Sequence, residues 1–127
     1  MSTEYKHSNI TGAVIGSAMQ VHTELGNGFP EVIYQRSLAL EFQDQDIGYK
    51  RELSMPLFYK GKPVGKRRVD FLVEEKVLVE LKAVSEINDR HFNQILNYLT
   101  AYQLEIGLLI NFGENNLKFK RFINSKI

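Results

Sequence analysis

The sequence predicts a mixed β-sheet flanked by helices, an α/β fold of the α+β kind with element order ααβββαββ. Three observations carry that expectation. Two short apolar runs, residues 68–73 and 77–82, flank the polar triplet Glu74-Glu75-Lys76 as a hairpin would. A helical stretch long enough for a right-handed crossover separates the second run from another at 106–112. Two helix-period segments divided by a glycine-rich stop open the chain.

Residues 8–25 read as a helix, since Ile10, Val14, Ala18, Val21 and Leu25 recur near helical spacing and Gly26-Asn27-Gly28 ends it. Pro30 suits the first turn of a second helix over about 30–45, with Ile33, Leu38 and Phe42 inside. From Leu53 to Tyr59 the apolar side chains alternate as Leu53, Met55, Leu57 and Tyr59, and Lys60-Gly61-Lys62-Pro63 marks a turn before the next strand. A meander of three antiparallel strands follows. After Lys82, Ser85 or Asn88 caps a helix reaching about Tyr102. The run 106–112 is apolar almost throughout, which predicts burial on both faces and parallel pairing with the 77–82 strand. Residues 117–123 add a last strand.

The central hairpin carries the chemistry. With Glu74-Glu75-Lys76 as its turn, Val73 lies opposite Val77, Asp70 opposite Glu80 and Arg68 opposite Lys82. One face then holds Val69, Phe71, Val73, Val77, Val79 and Leu81, wholly apolar, and a slip of one residue would mix charge into both faces. The other face holds Arg68, Asp70, Leu72, Leu78, Glu80 and Lys82. Two carboxylates about 5 Å apart at an effective dielectric of about 20 repel by roughly 3 kcal/mol, more than a good cross-strand pair returns. Something cationic belongs there. Lys82 and Arg68 can neutralise the pair as an ordinary charge network, or a divalent metal can bridge it, with hard oxygen donors favouring Mg²⁺ or Mn²⁺. Spacing alone does not single out this site, because Glu-x-Lys also occurs at Glu4-Tyr5-Lys6 and Glu74-Glu75-Lys76. Only Glu80-Leu81-Lys82 lies on an apolar strand with an acid across the ribbon.

At 127 residues the chain is expected to be a single domain over 1–127, of ordinary composition at 43% hydrophobic and 24% charged. The absence of cysteine excludes disulfides, a cysteine-ligated zinc or iron–sulfur site, and thiol catalysis. No apolar run approaches a membrane span and the first nine residues lack a signal-peptide core, so the expectation is a cytoplasmic protein. A net charge of +1 does not advertise nucleic-acid binding. Its distribution is more telling. Lys60, Lys62, Lys66, Arg67 and Arg68 lead directly into Asp70, and Lys118, Lys120, Arg121 and Lys126 cluster near the C-terminus. Such runs are commonly solvated faces.

Further candidates flank the hairpin. Gln94 and Tyr98, four apart on the third helix, share a face that can lie over the carboxylates, with Gln94 able to bond the lysine or a phosphate and Tyr98 to stack on a sugar or donate to a phosphate. The structural alternative makes Tyr98 a core residue and Gln94 a surface one. Glu31 complements the dipole of the second helix, yet Gly28, Glu31 and Tyr34 spaced by threes are more than a dipole requires. His22 precedes the same turn, as a packing residue or a metal ligand.

Asp70, Glu80-Leu81-Lys82, Gln94 and Tyr98 together resemble the PD-(D/E)xK nuclease superfamily, in the RecB-like branch whose helix carries Gln-x-x-x-Tyr. Gly28-Phe29-Pro30-Glu31-Val32-Ile33-Tyr34 resembles the signature of the GxxExxY protein family. The resemblance covers almost the whole chain and includes His22 with Leu25-Gly26, Tyr59-Lys60-Gly61, Arg68-Val69-Asp70 and Ile110-Asn111-Phe112-Gly113. It implies a restriction-endonuclease-like fold and phosphodiester hydrolysis dependent on Mg²⁺ or Mn²⁺. On that resemblance Asp70, Glu80 and the Leu81 carbonyl hold the metal and Lys82 orients or deprotonates water. Glu31 matches an acid often supplied by the preceding helix, and His22 a histidine that some members use as a ligand. Val69 stands where the motif's proline would, a departure the superfamily tolerates. The basic run Lys60, Lys62, Lys66, Arg67 and Arg68 would hold a phosphate backbone. The residues leave DNA and RNA open, with DNA the first expectation. Cutting both strands of a duplex with one site per chain favours a homodimer. The competing expectation is a non-catalytic nucleic-acid- or protein-binding module that retains the fold.

Overall fold

The computed structural model describes residues 6–125, so Glu4 and Tyr5 of the first Glu-x-Lys triplet and Lys126 of the C-terminal cluster lie outside the described residues. The elements follow the expected order: α1 (Ser8–Leu25), α2 (Glu31–Asp44), β1 (Tyr49–Tyr59), β2 (Lys62–Val73), β3 (Val77–Lys82), α3 (Asp89–Tyr102), β4 (Ile106–Asn111) and β5 (Lys118–Ile123). The strands form one five-stranded sheet in the order β1-β2-β3-β4-β5. Only β3 and β4 pair in parallel, because α3 carries the chain back between them. Among the described residues no helix is long and apolar enough to cross a membrane.

Helices cover both faces of this sheet. Val14, Ala18 and Val21 of α1 and Tyr34, Leu38 and Phe42 of α2 pack on Phe71, Val73, Val77, Val79 and Leu81, together with Leu108 and Ile110 of β4. On the other face Ile95, Tyr98 and Leu99 of α3 meet Leu78, Leu109 and Phe122. All six residues of β4 are buried, as its unbroken apolar run predicts. Gly107 lets α3 approach, since a Cβ there would stand 3.1 Å from the Ile95 Cδ1. Of the two candidate caps of α3, Asn88 is the one used. Its side chain accepts from the Arg90 N–H at 3.0 Å while its own N–H donates to the His91 Nδ1 at 3.1 Å, a reciprocal box that satisfies two orphan donors.

The first hairpin is longer than expected. β1 begins at Tyr49 rather than Leu53, β2 begins at Lys62 rather than Arg68, and the turn contracts to Lys60-Gly61. Their φ values of 50° and 78° are the two positive angles that a two-residue type I′ turn requires. Pro63 therefore pairs with Phe58 instead of sitting in a loop. Only Phe71, Leu72 and Val73 of β2 pair with β3, so the remainder of the hairpin runs beyond β3 as a two-stranded arm.

Two expected positions are corrected. Val69 does not join the apolar face of Phe71 and Val73; it is buried in the α3-side cluster with Leu78 and Ile95. The cause is a local break in alternation. Glu52 adopts a left-handed φ of 53°, and the ladder passes from Arg51–Phe71 to Leu53–Val69 without a bridge at Glu52 and Asp70. Arg68 likewise does not lie opposite Lys82, because the β2–β3 ladder stops at Phe71–Val79; Arg68 pairs across β1 with Ser54 and reaches the Glu52 carboxylate at 3.8 Å.

Where β4 ends, Asn111 holds the chain leaving β3. Its Oδ1 accepts from Val84 N–H at 3.0 Å, its Nδ2 donates to the Val84 carbonyl at 2.9 Å, and Phe112 N–H donates to the Lys82 carbonyl at 2.8 Å. Gly113 completes this crossing. A Cβ there would stand 2.7 Å from the Ala83 carbonyl carbon and nearer still to the Val84 backbone, which has no room to move. Gly113→Ala is expected to destabilise the fold by about 1–3 kcal/mol, read as a lowered urea midpoint. A midpoint equal to wild type would show that this crossing is loose.

Candidate active site

β2 and β3 diverge after Phe71–Val79, and Asp70 and Glu80 stand at that fork. Each carboxylate is tied to the other strand's backbone. Asp70 N–H donates to Glu80 Oε1 at 3.0 Å, and Leu81 N–H donates to Asp70 Oδ2 at 2.8 Å. Side-chain oxygens thus take the places that ladder carbonyls would otherwise fill. Asp70 Oδ1 accepts a third bond from Gln35 Nε2 of α2 at 2.7 Å. Glu80 Oε2 accepts none from the described residues.

The fork sits largely out of water, and Glu80 is only 8% exposed. Burial, then the adjacent Asp70 charge, pushes the Glu80 pKa up to about 8, against the Asp70 N–H bond and the Lys82 ammonium. Burial also raises Asp70, with the Leu81 N–H, Gln35 and Lys82 opposing. Lys82 is half-buried and acts on both acids through its field without a direct ion pair.

Helix α2 adds a third acid. Glu31 is exposed as a residue, yet partial enclosure of its carboxyl group raises its pKa, with Lys82 opposing and Asp70 adding to the rise. Gln35 follows one turn later, 6% exposed, and its Oε1 has no hydrogen-bond partner among the described residues. Sequence reasoning missed Gln35. Its signal was a polar side chain interrupting the buried stripe of Tyr34, Leu38 and Phe42. Tyr34 is structural. Its hydroxyl donates to the Gly26 carbonyl at 2.6 Å and its ring stacks on Phe112 at 4.6 Å, closing the α1–α2 turn in which Gly28 takes φ 102°.

His22 is not brought into this cluster. Its Nε2 meets the Glu114 carbonyl at 3.0 Å, which requires the proton on that nitrogen and commits it to the loop after β4. Among the described residues no three His, Asp or Glu side chains stand close enough to share a metal ion. The donor set is therefore two carboxylates. That suits a hard divalent cation, for which one or two carboxylates with backbone carbonyl and water commonly suffice.

From the opposite face, Gln94 Nε2 donates to the Tyr98 hydroxyl at 2.9 Å. Tyr98 is a core residue that also lies within reach of the Glu80 charge. Its ring is buried against Ile95 and Leu99, and burial followed by the Glu80 charge raises its pKa. Lys60, Lys62, Lys66, Arg67 and Arg68 are all exposed on the arm and its turn. Strand alternation divides them, with Arg67 on the Met55 face toward α3 and Lys66 and Arg68 on the other. Two of the C-terminal basic residues are engaged elsewhere: Lys120 lies 4.3 Å over the Phe92 ring and Arg121 donates to Thr11 at 2.7 Å.

The family model of the PD-(D/E)XK nuclease superfamily matches residues 8–122, from the start of α1 into β5 and across the whole fork. The chain belongs to that superfamily. Two crystal structures share the PD-(D/E)XK nuclease chain's fold. That of SSO0001 aligns with a TM-score of 0.58 at 18% identity, over 73% of this chain and 50% of that one. That of an alkaline exonuclease from Laribacter hongkongensis aligns with a TM-score of 0.54 at 9% identity, over 99% of this chain and 73% of that one. The chain thus spans half the length of the first. No curated protein matches it. Superfamily membership and these folds agree with the restriction-endonuclease-like architecture that the motif predicted.

The raised carboxylates have a measurable consequence. The folded state holds the Glu80 proton more tightly than the unfolded chain, where the group titrates near 4.5, so without metal stability is greatest below that pH and falls as pH rises toward about 8. Glu80→Gln keeps an acceptor for Asp70 N–H and removes the charge. Its thermal midpoint in chelator is expected to exceed wild type at pH 8 and to vary less with pH, and parallel profiles would refute the burial of this charge.

Proposed function

We propose that this chain is a divalent-metal-dependent nuclease that hydrolyses phosphodiester bonds, in DNA ahead of RNA, and that within the superfamily it is a GxxExxY protein. The observation that carries this reading is the buried pair Asp70 and Glu80, each hydrogen-bonded to the backbone of the other's strand so that two acids converge in one enclosed place. Asp70, Glu80 and the Leu81 carbonyl would hold Mg²⁺ or Mn²⁺. When bound, such an ion supplies Lewis-acid polarisation and makes water a better nucleophile at neutral pH.

The chain's own residues do the rest. Lys82, on the same strand as Glu80, aligns the attacking water and stabilises the negative charge that grows on the phosphate. Glu31 faces Lys82 electrostatically and helps keep the ammonium at the fork. Because Gln94 donates to the Tyr98 oxygen, the tyrosine's own proton is free for a phosphate oxygen. The reaction joins the water oxygen to phosphorus, breaks one P–O ester bond, and moves the water proton toward the leaving oxygen. Lys60, Lys62, Lys66, Arg67 and Arg68 hold the phosphate backbone and make affinity salt-dependent. A homodimer would supply a second site for the other strand.

Purified wild type, Asp70→Ala and Lys82→Ala in Mg²⁺ and Mn²⁺, on single-stranded, duplex and branched DNA and on RNA, test this reading. Each variant is expected to lose about 10²-fold or more in rate. Equal cleavage by all three would refute the assignment. Mn²⁺ should also raise the thermal midpoint of wild type and not of Glu80→Ala. Nucleic-acid binding without cleavage or Mn²⁺ binding would favour the non-catalytic module.

A further inference from the structure

A groove of about 640 Å³ lies between α3 and the β1–β2 arm and reaches Tyr98, the residue on which the Glu80 charge acts. Its lining divides by chemistry. Arg67 of the arm and Arg90 of α3 supply two positive charges, and no acid lines it. Asn93, Gln94 and Asn97 present carboxamides in a stripe along α3, three and four residues apart. Leu57 and the Tyr98 ring form its apolar surface. Arg67, Arg90, Asn93 and Asn97 are exposed, and none makes a side-chain hydrogen bond or ion pair among the described residues. These donors and acceptors are unspent.

Each element of this lining has a matching group in a nucleotide. Guanidinium forks fit phosphate oxygens. Carboxamides carry both a donor and an acceptor and so fit the edges of bases. Leu57 and Tyr98 can bear on a base or sugar face. In a duplex the Watson–Crick edges are already paired, whereas a single strand offers them. Size agrees. A groove of 640 Å³ falls among clefts of roughly 300–1,000 Å³ that hold a small ligand, room for one or two nucleotides of one strand.

The geometry points to a single-stranded segment of nucleic acid as the occupant of this groove, held by Arg67 and Arg90 through phosphate and by Asn93 and Asn97 through base edges, next to the Asp70–Glu80 fork. This inference rests on the nuclease reading and deepens it: the substrate is a single strand or the unpaired part of a junction.

Fluorescence anisotropy in chelator, with labelled oligodeoxyuridylate, oligouridylate and a blunt duplex, tests binding apart from cleavage. Asn93→Ala/Asn97→Ala is expected to weaken single-strand binding about tenfold and to leave duplex binding largely unchanged. Arg90→Ala should lower the salt dependence on single strands by about 0.7 for the one phosphate lost. Both sites are exposed, so circular dichroism should match wild type, and the two variants check each other. Equal losses on single strand and duplex, no loss in either variant, or no single-strand binding by wild type would overturn the proposal. Selective binding of either oligomer supports it, and the tighter of the two identifies the sugar. If wild type binds single strands selectively through Asn93 and Asn97 yet cleaves nothing with metal, the nuclease reading fails and the groove stands.

Discussion

Everything around the fork follows from one constraint: two carboxylates held together away from water by backbone amides of opposite strands. Asp70 N–H bonds Glu80, and Leu81 N–H bonds Asp70. Neither acid can swing outward without leaving a strand donor unpaired, and an unsatisfied buried donor costs about 1–3 kcal/mol. The repulsion between the acids is therefore retained, not relieved. It emerges as protonation, with Glu80 pushed up to about 8. The backbone bonds, not a favourable charge balance, are what keep the two acids together.

The surrounding elements close on the fork from three sides. Gln35 reaches Asp70 from α2, Tyr98 approaches Glu80 from α3, and the Asn111 crossing anchors the backbone just beyond Lys82. Charge is distributed just as locally. A net charge of +1 hides an arm that carries its basic residues on both faces, with Arg67 toward α3 and Lys66 and Arg68 away from it. The whole-molecule balance is thus a poor guide to the field beside the acids.

The residues of the Gly28, Glu31, Tyr34 set do different things. Gly28 supplies a backbone conformation with φ 102°. Tyr34 ties the turn shut through Gly26 and stacks on Phe112, itself bonded to the Lys82 carbonyl. Glu31 alone faces the charges of the fork. Two members position the helix start and one faces the charges of Lys82 and Asp70, which accounts for a spacing that the helix dipole alone did not.

The sequence by itself determined the element order, the pairing of Val73 with Val77, the apolar faces of the helices and the meeting of Asp70 with Glu80 beside Lys82. These rest on local periodicity and turn chemistry, which a one-dimensional chain carries in full. Only the tertiary structure decided the side of the sheet on which Val69 lies, since one left-handed residue, Glu52 on the neighbouring strand, breaks the alternation that the pattern of β2 assumes. It also decided that Gln35 supports Asp70 and that His22 bonds a loop carbonyl. It decided as well that Arg67, Arg90 and the α3 carboxamides share one groove. Those placements join residues far apart in sequence, and no period within a single element encodes the distance between two.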